Sequence, residues 1–103
     1  MGALLLAASV SADNLGYSFI SGSDIRDALT QDSMVVQGYV LGVADALKGQ
    51  EGSCFQIPLA ADADQALYQA YLDYWQGRGV PTQNGVHAIQ QALQARFPCD
   101  AKP

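Results

Sequence analysis

Histidine occurs once in this 103-residue chain, cysteine twice, and lysine and arginine together only five times. Each shortage excludes a class of function. Zinc wants four Cys or His ligands, or three and a water, at characteristic spacings. His87 with the distant Cys54 and Cys99 does not supply them. Asp62 and Asp64 are next-but-one neighbours, but no glycine-containing calcium loop with a closing Glu follows them. No glycine-rich phosphate loop is present. A Cys–His nucleophile would need Cys54 or Cys99 to stay reduced beside His87, and the reading of the chain as exported argues against that. The expectation is a protein with no catalytic set, no cofactor and no metal. Five cations against ten acids leave a net charge of −5, which argues against nucleic acid and against an anionic membrane surface. No apolar run reaches the roughly 20 residues that a bilayer span needs.

What is present is enough apolar material for one small core. Half the residues are hydrophobic, and a chain this short is marginally stable without a staple. The first dozen residues, "MGALLLAASVSA", stand apart. An apolar run from Ala3 to Ala8 precedes Val10-Ser11-Ala12, a small-residue pattern of signal-peptide cleavage, although no Lys or Arg opens it. Residues 1–12 read as the remnant of an export signal or an apolar tail, and 13–103 as the domain, placed in the periplasm. The competing reading is an ordinary first helix. Export and an even cysteine count predict a Cys54–Cys99 disulfide. Closing a loop of about 45 residues would stabilise by about 4 kcal/mol in the chain-entropy model.

The remaining pattern is helical throughout. Ser21 or Ser23 would cap a two-turn helix with Ile25, Ala28 and Leu29 on its face, and Asp32 or Ser33 would cap the next. That helix, Met34 to Lys48, is apolar on nearly every side, which predicts burial over most of its circumference. Within it Gly38 and Gly42 lie one turn apart, each costing about 1 kcal/mol against alanine. They are expected to admit a close backbone neighbour, in the core or across a dimer. A loop with Gly49, Gly52 and Pro58 follows. Ala63, Ala66, Leu67, Ala70, Tyr71, Tyr74 and Trp75 then keep helical spacing without a miss. Asp62 with Gln65 looks like a capping box. The polar loop 76–84 leads to a last helix from about Thr82 to Phe97, with Val86, Ile89, Leu93 and Phe97 on its face and Gln90, Gln91 and Gln94 toward water. The predicted fold is all-α: one small domain of four helices around a central buried one, stapled by one disulfide.

Several stretches together resemble a known family. "SGSDIRDAL", "GYVLGVADAL", Cys54 with Ile57-Pro58, Tyr71-Leu72 and "ALQARFPC" look like the Rap/Tai group, the immunity proteins of type VI secretion amidases. The "GYxxGVADAL" and "AL…FPC" elements are the specific ones. The resemblance implies a periplasmic, disulfide-bonded helical protein, commonly a homodimer. It also implies a partner: a cognate papain-like peptidoglycan amidase whose active-site cleft it blocks. Many relatives carry further cysteines where this chain has Ala28, Leu29 and Val36, so one bridge is available here. Candidate partner-binding residues are Gln50, Glu51, Gln56 and Asp62 in the loop before the third helix, and Arg78, Gln83 and Asn84 in the loop after it. Tyr68 is added as an aromatic anchor of the kind enriched at interfaces. A different class stays open beside this one. The "GY…AL" helix also loosely resembles periplasmic acid-stress chaperones of the HdeA type, and a non-catalytic envelope-binding domain is a third option.

Overall fold

The computed structural model describes residues 19–48, 50, 55–79 and 84–99. Four helices occupy these residues: α1 (Gly22–Thr30), α2 (Met34–Leu47), α3 (Ala63–Trp75) and α4 (Gly85–Arg96). No strand forms among the described residues; the only ladder-like contact there is an isolated antiparallel bridge between Phe55 and Pro98. The export-signal reading of residues 1–12 lies outside the described residues.

Serines start the first two helices. Ser21 Oγ accepts the Asp24 N–H at 3.1 Å and Ser33 Oγ accepts the Val36 N–H at 3.3 Å, each satisfying one amide that the first turn leaves orphaned. Asn84 does the same for α4, accepting the His87 N–H at 2.9 Å. The last helix therefore begins at Gly85, inside the Thr82 boundary that periodicity gives. The capping box on α3 is absent. Asp62 makes no side-chain cap bond, and it is Asp64 whose carboxylate accepts the Gln65 N–H, at 2.8 Å. Asp62 has φ −106° and ψ 31°, outside the extended backbone that Ser21, Ser33 and Asn84 adopt at their caps.

Every helix touches the other three, with α3 against α4 the most extensive contact. The buried core is assembled from all of them: Ile25 and Leu29, Val40 and Ala44, Leu67, Ala70 and Tyr71, Ile89, Ala92 and Leu93, closed by Phe55 from the loop. Tyr71 is fully buried and its hydroxyl donates to the Gly22 carbonyl at 2.7 Å, tying α3 to the start of α1. Burial holds that phenol well above its ordinary value of 10.0; Arg26 opposes the shift and Tyr39 adds to it. The Trp75 indole N–H donates to the Ala88 carbonyl at 3.2 Å.

Burial of α2 on most of its circumference is not what the fold provides. Only Val40 and Ala44 are buried on this helix. Met34 and Val35 are each 81 % exposed, and Gly38, Gly42 and Ala46 are exposed on the same side. A Cβ placed on Gly38 or Gly42 meets nothing within 4 Å, so neither glycine admits a neighbour inside the domain. The reason is geometric: α1, α3 and α4 all pack on one side of α2, and its other apolar side is left outward. The helix that was expected at the centre is one wall.

The glycine that does admit a neighbour is Gly85. Its N–H donates to the Ile20 carbonyl at 3.1 Å, and a Cβ there would overlap that carbonyl oxygen and lie 2.7 Å from Ile25 Cδ1. The glutamines expected to face water on α4, Gln90, Gln91 and Gln94, are half-buried.

Candidate protein-binding surfaces

Among the described residues, the chemistry-bearing side chains do not converge. His87 is exposed on the first turn of α4. Among the described residues, no three of His, Cys, Asp and Glu group closely enough to hold a metal ion. Nor is any described helix long and apolar enough to cross a membrane. The features that stand out are surfaces, and there are three.

The first is the loop before α3. Its near end is tied down: Phe55 is 2 % exposed and bridges to Pro98, and the Gln56 N–H donates to the Phe97 carbonyl at 2.9 Å. From there the chain runs outward, and Leu59 is fully exposed. Gln56, Ala60, Ala61 and Asp62 are exposed around it. A large apolar side chain at the apex of a loop with a fixed end is what inserts into a partner's groove.

The second surface is the turn after α3. Gly77 and Gly79 both take positive φ, 79° and 85°, which side chains with a Cβ rarely adopt, and the turn reverses there. Arg78 between them is exposed yet held: its guanidinium carbon sits 4.0 Å over the Tyr74 ring, and Nε donates to the Tyr74 carbonyl. The ring's negative face attracts the cation. Beside this turn an open groove of about 440 Å³ runs between α1 and the end of α3, with Leu72 and Trp75 as apolar lining and Arg26, Gln69 and Asp73 as polar lining. Arg26 is occupied by Asp27 at 2.8 Å, an exposed pair of small energetic weight.

The third surface is the open side of α2, which periodicity assigned to the core. Met34, Val35, Gly38, Gly42 and Ala46 follow one another along it, with Asp45 exposed among them. Asp45 reaches Lys48 Nζ at 3.4 Å.

The residues proposed from sequence as partner contacts distribute as follows. Gln50, Gln56, Asp62 and Arg78 are exposed. Asn84 is half-buried and spends its side chain capping α4. Tyr68 is corrected: it is 7 % exposed, packed into the core beside Leu67, because α3 is covered over a wider arc than its regular stripe defines. Its hydroxyl is raised above the usual 10.0, first by burial and then by the nearby Asp64 charge. Glu51 and Gln83 lie outside the described residues. Sequence reasoning missed Leu59 and Met34; both are single apolar residues that no local pattern marks as exposed.

A scan against family models finds no match to this chain, and searches among curated proteins and solved structures find none either.

Proposed function

We propose that this chain is a non-catalytic inhibitor: a periplasmic immunity protein of the Rap/Tai kind. As a homodimer, it binds a papain-like peptidoglycan amidase and occludes its cleft. The observation that carries the reading is the Leu59 loop, an apolar apex on a stem pinned by Phe55–Pro98 and Gln56–Phe97. Such a loop loses little conformational freedom on binding, which leaves more of its burial energy as affinity. The "GYVLGVADAL" and "ALQARFPC" stretches support the family, and an acidic surface suits a stoichiometric binder that must stay soluble. In this reading the Arg78 turn contributes a polar contact at the rim.

The Cys54–Cys99 disulfide belongs to the proposal. Cys54 lies outside the described residues; what supports the pairing is that Cys99 directly follows Pro98, which bridges to Phe55, and that no described cysteine is free. Thiol titration of the unfolded, unreduced chain should find none.

Calorimetry of the full chain with a cognate papain-like peptidoglycan amidase tests the function. Binding at one inhibitor protomer per enzyme supports it, and no heat at tens of micromolar contradicts it. The open apolar side of α2 favours a second reading, the acid-stress chaperone, since a dimer that came apart at low pH would bare it. Oligomer size that stays constant down to pH 2 would dismiss that alternative.

A further inference from the structure

Two of the five cations in this acidic chain line one cavity. It measures about 220 Å³ and lies between α3 and α4, with the exposed Arg78 and Arg96 in its lining. We infer that it is a carboxylate clamp, in which the two guanidiniums grip an acidic side chain of the partner enzyme, the partner itself resting on the function proposed above. Among the described residues the ion pairs are Arg26–Asp27 and Lys48–Asp45, and Arg78 and Arg96 enter neither. Both are nevertheless held in place. The Arg78 guanidinium carbon lies 4.0 Å over the Tyr74 ring and Nε donates to the Tyr74 carbonyl, which leaves its two terminal nitrogens for a ligand. Arg96 sits in the last turn of α4, where the negative helix end favours a cation, and its guanidinium carbon is 5.9 Å from the Phe97 ring. Cations positioned in advance lose little freedom on binding.

A planar carboxylate is the group that guanidiniums match, because their parallel N–H donors meet both of its oxygens. The rest of the lining sets the size of what enters. Ala70 and Ala92, buried in the core, and the exposed Ala95 contribute methyl groups, which suit an aliphatic stem. A volume of about 220 Å³ falls below the roughly 300–1,000 Å³ of small-molecule sites, so the cavity takes one side chain rather than a cofactor. Asp73, the acid in the lining, accepts from Gln69 Nε2 at 2.9 Å. Two cations and one acid leave this lining with one net positive charge, matched to a single carboxylate, in a chain whose total is −5. A partner's acid is therefore repelled by the chain as a whole and attracted here, which fixes the register of docking.

Two measurements test this, the first without the enzyme. The side-chain nitrogen NMR signals of Arg78 and Arg96 in the full chain are followed as N-acetylglutamate α-amide is added to tens of millimolar, with N-acetylglutamine α-amide as the neutral control. Both signals should shift together with the acid and stay still with the control. No shift, an equal response to the control, or an equal shift at Arg26 overturns the clamp. Calorimetry with a cognate papain-like peptidoglycan amidase then reads the partner. Arg78→Gln and Arg96→Gln should each weaken binding at least tenfold, and the double variant by much less than the product, since a shared carboxylate is lost only once. Arg96→Lys keeps the charge at the helix end but not the fork of donors, and should still weaken binding severalfold at an unchanged melting temperature. Full-strength binding by both glutamine variants rejects the clamp and keeps the functional reading. Full-strength binding by Arg96→Lys reduces Arg96 to a bare charge and also overturns it. Arginine signals that respond to the acid in a chain that binds no amidase keep the carboxylate site and reject the functional reading.

Discussion

Gly85 and Ile20 are joined by an N–H to carbonyl hydrogen bond of 3.1 Å, and no side chain fits between them. This contact closes the segment before α1 over the start of α4, next to the buried Ile25. A methyl group at position 85 would have to displace backbone, which does not yield as the end of a flexible side chain does. Gly85→Ala should therefore destabilise the domain by about 2 kcal/mol, lowering the melting temperature by about 10 °C. Calorimetry or thermal circular dichroism checks it.

Gly38→Ala and Gly42→Ala should do the opposite. Both positions are open, so each substitution adds helix propensity and removes unfolded-state freedom, for a gain of about 0.5–1 kcal/mol. Urea denaturation at concentrations where the chain is monomeric should show a higher midpoint with an unchanged slope. The contrast with Gly85 separates glycines that the monomer needs from those it only tolerates.

Tyr71 gives a pH dependence with a definite sign. Its folded pKa is raised, chiefly by burial, so above pH 10 the unfolded chain sheds a proton that the native chain keeps. Stability should be flat with respect to this group below about pH 9 and fall as pH rises through and beyond 10. Tyr71→Phe should lose about 1 kcal/mol at neutral pH with the Gly22 bond, and should show a shallower alkaline decline. Denaturant titrations at pH 7, 9 and 11 would read both effects.

Leu59 should matter to binding and not to folding. Burying a leucine contributes about 1.5–3 kcal/mol, so Leu59→Asp should weaken amidase binding at least tenfold. The melting temperature should not move, because the side chain is fully exposed in the free protein.

How far the sequence could be read differs from element to element. The stripe of α3 was plain because Leu67, Ala70 and Tyr71 alternate with the exposed Asp64, Gln69 and Asp73, so period and polarity agree. The caps were legible only as pairs of candidates, Ser21 or Ser23 and Asp32 or Ser33, and the structure selects Ser21 and Ser33. On α2 the apolar residues run all round, and sequence cannot tell a side that is buried from one that waits for a partner. Gly85 was silent for a related reason. What it meets, Ile20 and Ile25, lies some sixty residues back in the chain, and no local pattern carries that contact. The candidate surfaces follow the same rule: the loops holding Gln56 and Arg78 were legible as loops, while the exposure of Leu59 at the apex became visible only with the Phe55–Pro98 bridge in place.

On the proposed reading this protein silences an enzyme and performs no chemistry itself. The most direct measurement is peptidoglycan hydrolysis by a cognate papain-like amidase, titrated with the purified full chain. Activity should fall linearly and reach zero at one protomer per enzyme, with residual activity at that ratio for Leu59→Asp. Hydrolysis that continues undiminished in the presence of a tenfold excess would contradict it.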